Sequence, residues 1–178
     1  KLRPLNREVS DDFIHYDNIT INFDRKNKLA NIKILGPKGK DIIKEKEINN
    51  QSSEWWPIKT TRELDDAILM LRTNELDIGV ITISSEGSIE NVSEISSLIF
   101  QNKNNWLINE IIGFYRRTIS RLDVSSRSIF AIIDGKVVDK YERSVLSYGD
   151  IIRTGTLKKL SKVFKIKKYL TVIRVWKK

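Results

Sequence analysis

The chain has 178 residues, no cysteine and one histidine, and its formal net charge is +9. This length suits one domain or a piece of a larger protein. The composition excludes disulfides, thiolate nucleophiles, zinc sites built on cysteine and His-rich metal centres, and a Ser-His-Asp triad would have to use His15. There is neither an apolar run of about 18 residues nor the apolar core of a signal peptide, so we expect a cytoplasmic protein without a membrane span.

The positive charge is concentrated at the C-terminal end. Residues 135–178 hold 13 of the 32 Lys and Arg residues and 3 of the 23 Asp and Glu residues, which leaves 19 basic and 20 acidic residues in 1–134. Any attraction to nucleic acid or to an anionic membrane therefore depends on this basic tail. Its lysines would spread around a helix instead of forming one stripe, which disfavours membrane binding.

The N-terminal part predicts a β-hairpin. Residues 1–15 are polar and predict irregular structure. Two runs of apolar residues then alternate with polar ones, as half-buried strands do: Ile19, Ile21 and Phe23, and Ala30, Ile32 and Ile34. A short polar turn joins these two runs. Residues 38–54 are charged and amide-rich, and they predict a surface excursion or a loose helix.

Residues 62–84 predict an amphipathic helix followed by a strand. The helix shows the i, i+3, i+4, i+7 spacing at Leu64, Ala67, Ile68 and Leu71. Thr60 and Glu63 fit a capping box at its start, and the helix should end near Thr73-Asn74. The largely β-branched run 78–83 predicts a strand that is covered on both faces.

The remaining elements complete an α/β pattern. Residues 84–88 form a loop at the carboxyl end of that strand, 89–100 predict a weaker helix, 106–122 a strong helix and 129–133 another buried strand. The predicted order is β, β, α, β, α, α, β, which indicates an α/β fold.

Four segments carry a resemblance to a known family: WWP at 55–57, RELDDAILMLRTNELDIG at 62–79, EG at 86–87 and EIIGFYRRTISRLDVSSRSIFAII at 110–133. From Asp17 to Ile133 the chain resembles the benzoyl-CoA-dihydrodiol lyases, also called 2,3-epoxybenzoyl-CoA dihydrolases, of the crotonase (enoyl-CoA hydratase/isomerase) superfamily. The family chain is much longer and contains two crotonase-like halves, and the resemblance covers the opening of the second. It implies a partial crotonase-like fold.

The resemblance also implies a function. Such a lyase, an enzyme of aromatic degradation, opens the epoxide of 2,3-epoxybenzoyl-CoA with water, cleaves the ring and releases formate and an aliphatic CoA semialdehyde. Coenzyme A is then part of the substrate, and we expect no separate cofactor and no metal. The expected partners are the acyl-CoA thioester and a first crotonase-like half or a second subunit. The alternative is a non-catalytic structural fragment or a basic nucleic-acid-binding module.

The resemblance ends where the charge changes. After Ile133 the family continues into a glycine-containing turn and an apolar helix, whereas this chain reads DGKVVDKYERSVLSYGDIIRTG. We therefore predict an N-terminal segment over 1–16, a partial crotonase-like domain over 17–134 and a basic C-terminal tail over 135–178. A truncated or frame-shifted sequence would explain a tail of different origin.

Glu86, Gly87 and Arg127 are the candidate substrate-binding residues. Glu86 and Gly87 follow a strand at the end where ligands bind in α/β folds, and the Gly87 N–H could stabilise a thioester oxyanion. An ordinary loop glycine is the competing interpretation. Arg127 could grip a CoA phosphate, as could Arg116, Arg117 and Arg121. Pairing of these arginines with acidic residues of another protein half is the alternative.

Two further groups have a functional and a structural interpretation. Charged residues on or just after the first predicted helix suit phosphate chemistry or, more simply, i,i+4 ion pairs: Arg62, Asp65, Asp66, Arg72 and Glu75. Trp55 and Trp56 suit ring stacking or the core. The glycine-rich oxyanion motifs of the family's first half are absent, so no catalytic residue is assigned.

Overall fold

A computed structural model of the chain describes residues 2–51, 53–131 and 173–175. Seven strands form one sheet in chain order: β1 Glu8–Val9, β2 Phe13–His15, β3 Ile19–Asp24, β4 Leu29–Leu35, β5 Val80–Glu86, β6 Ser128–Ala131 and β7 Ile173–Val175. Strands β4, β5 and β6 are parallel, and the other neighbouring pairs are antiparallel. The helices are α1 Trp56–Asn74, α2 Ile89–Gln101 and α3 Trp106–Asp123. The predicted α/β class is confirmed.

The predicted hairpin is present as β3 and β4, with Ile21 opposite Ile32. The prediction of irregular structure over 1–15 is wrong in part, because β1 and β2 extend the sheet there. The strand signal in this segment is a single buried residue, Ile14, which lies opposite Ile21. Hairpin pairing with the next strand along the chain therefore overrides a polar local sequence. Residues 38–54 contain two 3-10 helices, Gly39–Asp41 and Glu45–Asn50.

Helix α1 begins at Trp56, one turn before the predicted capping box. Pro57 lies in the first turn, where its fixed φ and missing N–H are tolerated. Thr60 and Glu63 are buried inside the helix, and Glu63 accepts a hydrogen bond from the backbone of Asn18 instead of capping the helix. The capping-box prediction is therefore wrong, whereas the predicted end of the helix is confirmed at Asn74.

Helices α2 and α3 lie where the apolar spacing predicts them, and each begins with a side-chain cap. The Ser88 hydroxyl accepts from the Asn91 N–H at 3.2 Å, and the Asn105 side chain accepts from the Leu107 N–H at 2.9 Å. Strand β6 confirms the start of the predicted run 129–133. Most of the predicted basic tail, 135–172 and 176–178, lies outside the described residues. None of the helices in the described part combines the length and apolar character needed to cross a bilayer.

The sheet has an apolar face and a polar face. The apolar face joins the buried side chains of all three helices in one core cluster, and its buried members are Ile14, Ile19, Ile21, Ala30, Ile32, Ile34, Ile81 and Ile129. The strand register places the opposite side chains on the polar face, which includes His15, Thr20, Asn22, Asn31, Lys33, Thr82 and Ser84. On β5 the buried residues lie on both faces, Ile81 and Ser85 on the apolar face and Thr82 on the polar face, so the prediction of a strand covered on both faces is confirmed in part.

Candidate functional site

Two loops meet at the carboxyl ends of the parallel strands β4 and β5. The Gly36 N–H donates to the Glu86 carbonyl at 2.8 Å, and the Asn91 side chain donates to the Pro37 carbonyl at 3.0 Å. The loop that contains Gly87 leads directly into α2. Ligands of α/β proteins bind at this end of a parallel sheet. We call Gly36, Pro37, Glu86 and Gly87 the strand-end site.

Glu86 is exposed and forms an ion pair with Lys33, whose ammonium lies 2.5 Å from the carboxylate. This hydrogen bond and the charge of Lys33 hold the pKa of Glu86 below its usual range. The side chain is therefore ionised at neutral pH. It can accept hydrogen bonds or attract a cation, but it is a poor proton donor.

Arg127 lies at the other end of the sheet, just before β6. Its guanidinium donates to the backbone carbonyls of Leu71 at 2.6 Å, Glu75 at 2.8 Å and Ile78 at 2.7 Å. Burial, followed by repulsion from a neighbouring arginine, lowers its pKa. The seven residues of β5 span roughly 20 Å, so Arg127 and Glu86 are not brought together. Its geometry suits capping of the α1 C-terminus better than phosphate binding.

Four of the five charged residues predicted to form i,i+4 pairs on or after α1 instead bind distant elements. Asp65 pairs with Arg121 and accepts from Thr118 at 3.2 Å. Two further long-range pairs are Arg7–Asp66 at 2.8 Å and Arg25–Glu75 at 2.9 Å, and Arg62 donates to the Arg3 carbonyl at 2.8 Å. Arg116 and Arg117 are exposed on α3. In the part of the chain that the structure describes, no three His, Asp or Glu side chains are placed to share a metal ion.

Trp55 and Trp56 fasten the start of α1 to the segments before it. The Trp55 indole N–H donates to the Asp41 carbonyl at 2.9 Å, and that of Trp56 donates to the Leu35 carbonyl at 2.9 Å. Trp55 is buried in the core cluster and Trp56 packs against it. The core interpretation of this pair is therefore confirmed.

A small cavity lies under Trp56, between the helices and β4. Its volume is about 30 Å³, and its lining is mostly apolar: Ile34, Trp56, Pro57, Thr60, Thr61, Leu64, Val92, Ile95, Ser96 and Tyr115. Sites for ligands of drug size measure about 300–1,000 Å³, so this cavity is too small for an acyl-CoA. Among the described residues the Thr60 hydroxyl has no hydrogen-bond partner.

Glu63 is a buried titratable residue whose environment differs from the capping role that the sequence predicts. It is 1% exposed, and its carboxylate accepts from the Asn18 backbone N–H at 2.8 Å and from the Asn18 side chain at 3.4 Å. Burial raises its pKa to about 7, against the hydrogen bonds from Asn18, and Asp17 adds to the rise while Lys59 opposes it. A signal was available, because Glu63 precedes Ala67 by four residues and so lies on the apolar side of α1.

These features define an α/β domain in which two loops meet at the carboxyl ends of the parallel strands β4 and β5. No family model matches the chain. The benzoyl-CoA-dihydrodiol lyase of Aromatoleum evansii is 40% identical to it over 134 residues, which is 75% of this chain. The chain spans only 24% of the length of that lyase. The resemblance predicted from the four segments is thereby confirmed.

Proposed function

We propose that the chain is part of an enzyme of the benzoyl-CoA-dihydrodiol lyase type that serves aromatic degradation in the cytoplasm. The observation that carries this proposal is the 40% identity to such a lyase over 134 residues. The parallel strands β4, β5 and β6, joined through helices, are compatible with the crotonase-like fold that the resemblance implies. Residues 17–134 would be the crotonase-like part.

The proposed reaction is the hydrolytic ring cleavage of 2,3-epoxybenzoyl-CoA to an aliphatic CoA semialdehyde and formate. Coenzyme A is part of this substrate, and the proposal needs no separate cofactor. The strand-end site would contribute the Gly87 N–H to the thioester carbonyl and would place the ionised Glu86 beside it. Arg127 would act only indirectly, by holding α1 against β5 and β6.

The cavity under Trp56 cannot hold this substrate. The cavity of about 30 Å³ is at least tenfold smaller than sites for ligands of drug size. In the proposal, a first crotonase-like half or a second subunit therefore completes the substrate chamber.

A chimera tests this function. In the Aromatoleum evansii lyase, the segment that matches this chain is replaced by the 134 residues of this chain, and consumption of 2,3-epoxybenzoyl-CoA is measured. We expect turnover within about tenfold of the parent lyase, a loss of roughly 1.4 kcal/mol in transition-state stabilisation. The control is the same lyase with the segment deleted. A folded chimera with no more turnover than this control would contradict the proposal.

The alternative, a basic nucleic-acid-binding module, depends on the tail. Its test is retention of the full chain on immobilised DNA or RNA. Steeply salt-dependent retention that disappears on deletion of residues 157–178 would favour the module. Weak retention that the deletion does not change would exclude it.

A further inference from the structure

The polar face of the sheet carries rows of mostly hydrogen-bonding side chains across four strands. The register aligns His15, Thr20, Lys33 and Ser84 in one row and Phe13, Asn22, Asn31 and Thr82 in the next. Cross-strand bonds join several of them, including His15 to Thr20 at 3.0 Å and Asn31 to Thr82 at 2.8 Å. The face is therefore an ordered polar surface.

The described core leaves most of this face uncovered, although Thr82 on β5 is only 7% exposed. Every sheet residue of the core cluster lies on the apolar face, and even the apolar residues of the polar face do not belong to the cluster: Phe13, Leu29, Leu35 and Val80. An antiparallel sheet commonly exposes one face to water, but parallel strands are almost always covered on both faces. Strands β4, β5 and β6 are parallel, so their polar side calls for a second layer.

The charges on the polar face argue against a polyanion as that layer. Lys33 is paired with Glu86, and Asp24 adds a further negative charge at the end of β3. Binding to nucleic acid requires several unpaired Lys or Arg side chains that meet phosphates. The hydroxyl, amide and imidazole groups of the face suit instead a protein surface that offers neutral hydrogen-bonding groups.

The size of the face indicates a layer of the same folded unit. Strands lie about 4.8 Å apart and rise about 3.3 Å per residue, so β2 to β6 present roughly 400–450 Å². Stable complexes between separate proteins bury about 800 Å² per partner. A layer within one polypeptide needs less area, because the connecting chain raises its effective concentration.

We infer that the polar face is the surface on which the remaining part of the lyase polypeptide packs. The chain spans 24% of the related lyase, so about three quarters of such a protein is available to form the missing layer. This inference rests on the proposed function, since it takes the partner from the same longer protein. The contact would then lie on the two rows of the polar face, the one from His15 to Ser84 and the one from Phe13 to Thr82, and not on the outer surface of the helices.

Matched substitutions in two backgrounds test the inference. The test variant is Asn22→Arg, at an exposed position of the polar face, and the control is Asn109→Arg, on the exposed side of α3. Both are measured by thermal unfolding in the full 178-residue chain and in the chimera described above. In the chain alone, both are expected to leave Tm unchanged within about 1 °C, because both sites face water.

In the chimera, Asn22→Arg is expected to lower Tm by about 3 °C or more relative to Asn109→Arg, because it buries an unpaired charge between layers. Equal shifts for the two variants would overturn the inference, as would a chimera that fails to fold although the parent lyase folds. Ser84→Arg on β5 serves as the second variant if Asn22→Arg unfolds the chain alone. A different result would contradict the proposed function alone: Asn22→Arg lowers Tm in the chimera more than Asn109→Arg does, but the chimera does not turn over 2,3-epoxybenzoyl-CoA.

Discussion

At the scale of single residues, Glu63 shows how a carboxylate is held in an apolar core. It caps the backbone N–H of Asn18, 45 residues earlier in the chain, and so connects α1 to the turn between β2 and β3. Nearby, the Lys59 ammonium lies 2.6 Å from Asp17 and 2.7 Å from Glu54. The buried acid is thus surrounded by charges that partly compensate one another.

Replacing the acid with Glu63→Gln should remove a dependence of stability on pH. The folded pKa of about 7 lies above the ordinary value of 4.5, so folding favours the protonated form. That contribution is complete below about pH 4.5 and is lost as the pH rises through 7. Glutamine keeps an acceptor for Asn18, so the variant should match the wild type at pH 4.5 and exceed it at pH 8 by roughly 3 kcal/mol. Urea unfolding at both pH values measures this, and a difference that does not change with pH would contradict it.

Thr60 and Thr61 form a matched pair of buried hydroxyls on α1. The Thr60 hydroxyl lacks a partner among the described residues, whereas that of Thr61 donates to the Pro57 carbonyl at 2.6 Å. Thr60→Val should therefore raise the free energy of unfolding by up to about 1 kcal/mol, and Thr61→Val should lower it by about 1 kcal/mol. Thermal unfolding distinguishes the two. A loss of stability in Thr60→Val would instead indicate that this hydroxyl binds a water molecule in the cavity.

At the scale of elements, the sequence predicts what periodicity controls and misses what distant partners decide. The hairpin and the two later helices follow from the alternation and the helical spacing of their apolar residues. The start of α1 does not, because the capping-box pattern of Thr60 and Glu63 is local, whereas Asn18 binds Glu63 only in the folded chain. Strands β1 and β2 are missed for a different reason: they are short and polar, and they form by hairpin pairing with the next strand along the chain.

The connection between α1 and β6 depends on Arg127. Arg127→Ala should lower the free energy of unfolding by about 2–3 kcal/mol, because it leaves three backbone carbonyls without a charged donor. Arg127→Lys should recover only part of this loss, since an ammonium lacks the guanidinium fork. Urea unfolding measures both, with Arg117→Ala at an exposed position as the control. If Arg127→Ala unfolds like this control, Arg127 does not act as the cap.

At the scale of the whole molecule, the sequence identifies the related family but not the arrangement of a site. The sequence places Gly87 correctly after a parallel strand, but the strand extends three residues beyond the β-branched run and ends at Glu86, so the prediction that Glu86 follows the strand is wrong. The sequence groups Arg127 with these two residues only because a guanidinium can bind phosphate, whereas the fold places Arg127 at the opposite end of the sheet. The polar face was also hidden, since only the register of four strands aligns its residues.

Under the proposed function, this chain forms one layer of a longer enzyme that cleaves the ring of an aromatic CoA thioester. Formate release by the chimera, measured against consumption of 2,3-epoxybenzoyl-CoA, tests this claim most directly. We expect about one formate for each molecule of 2,3-epoxybenzoyl-CoA that is consumed, and no formate from the lyase that lacks the segment. Thioester consumption without formate, or no consumption by a folded chimera, would contradict the claim.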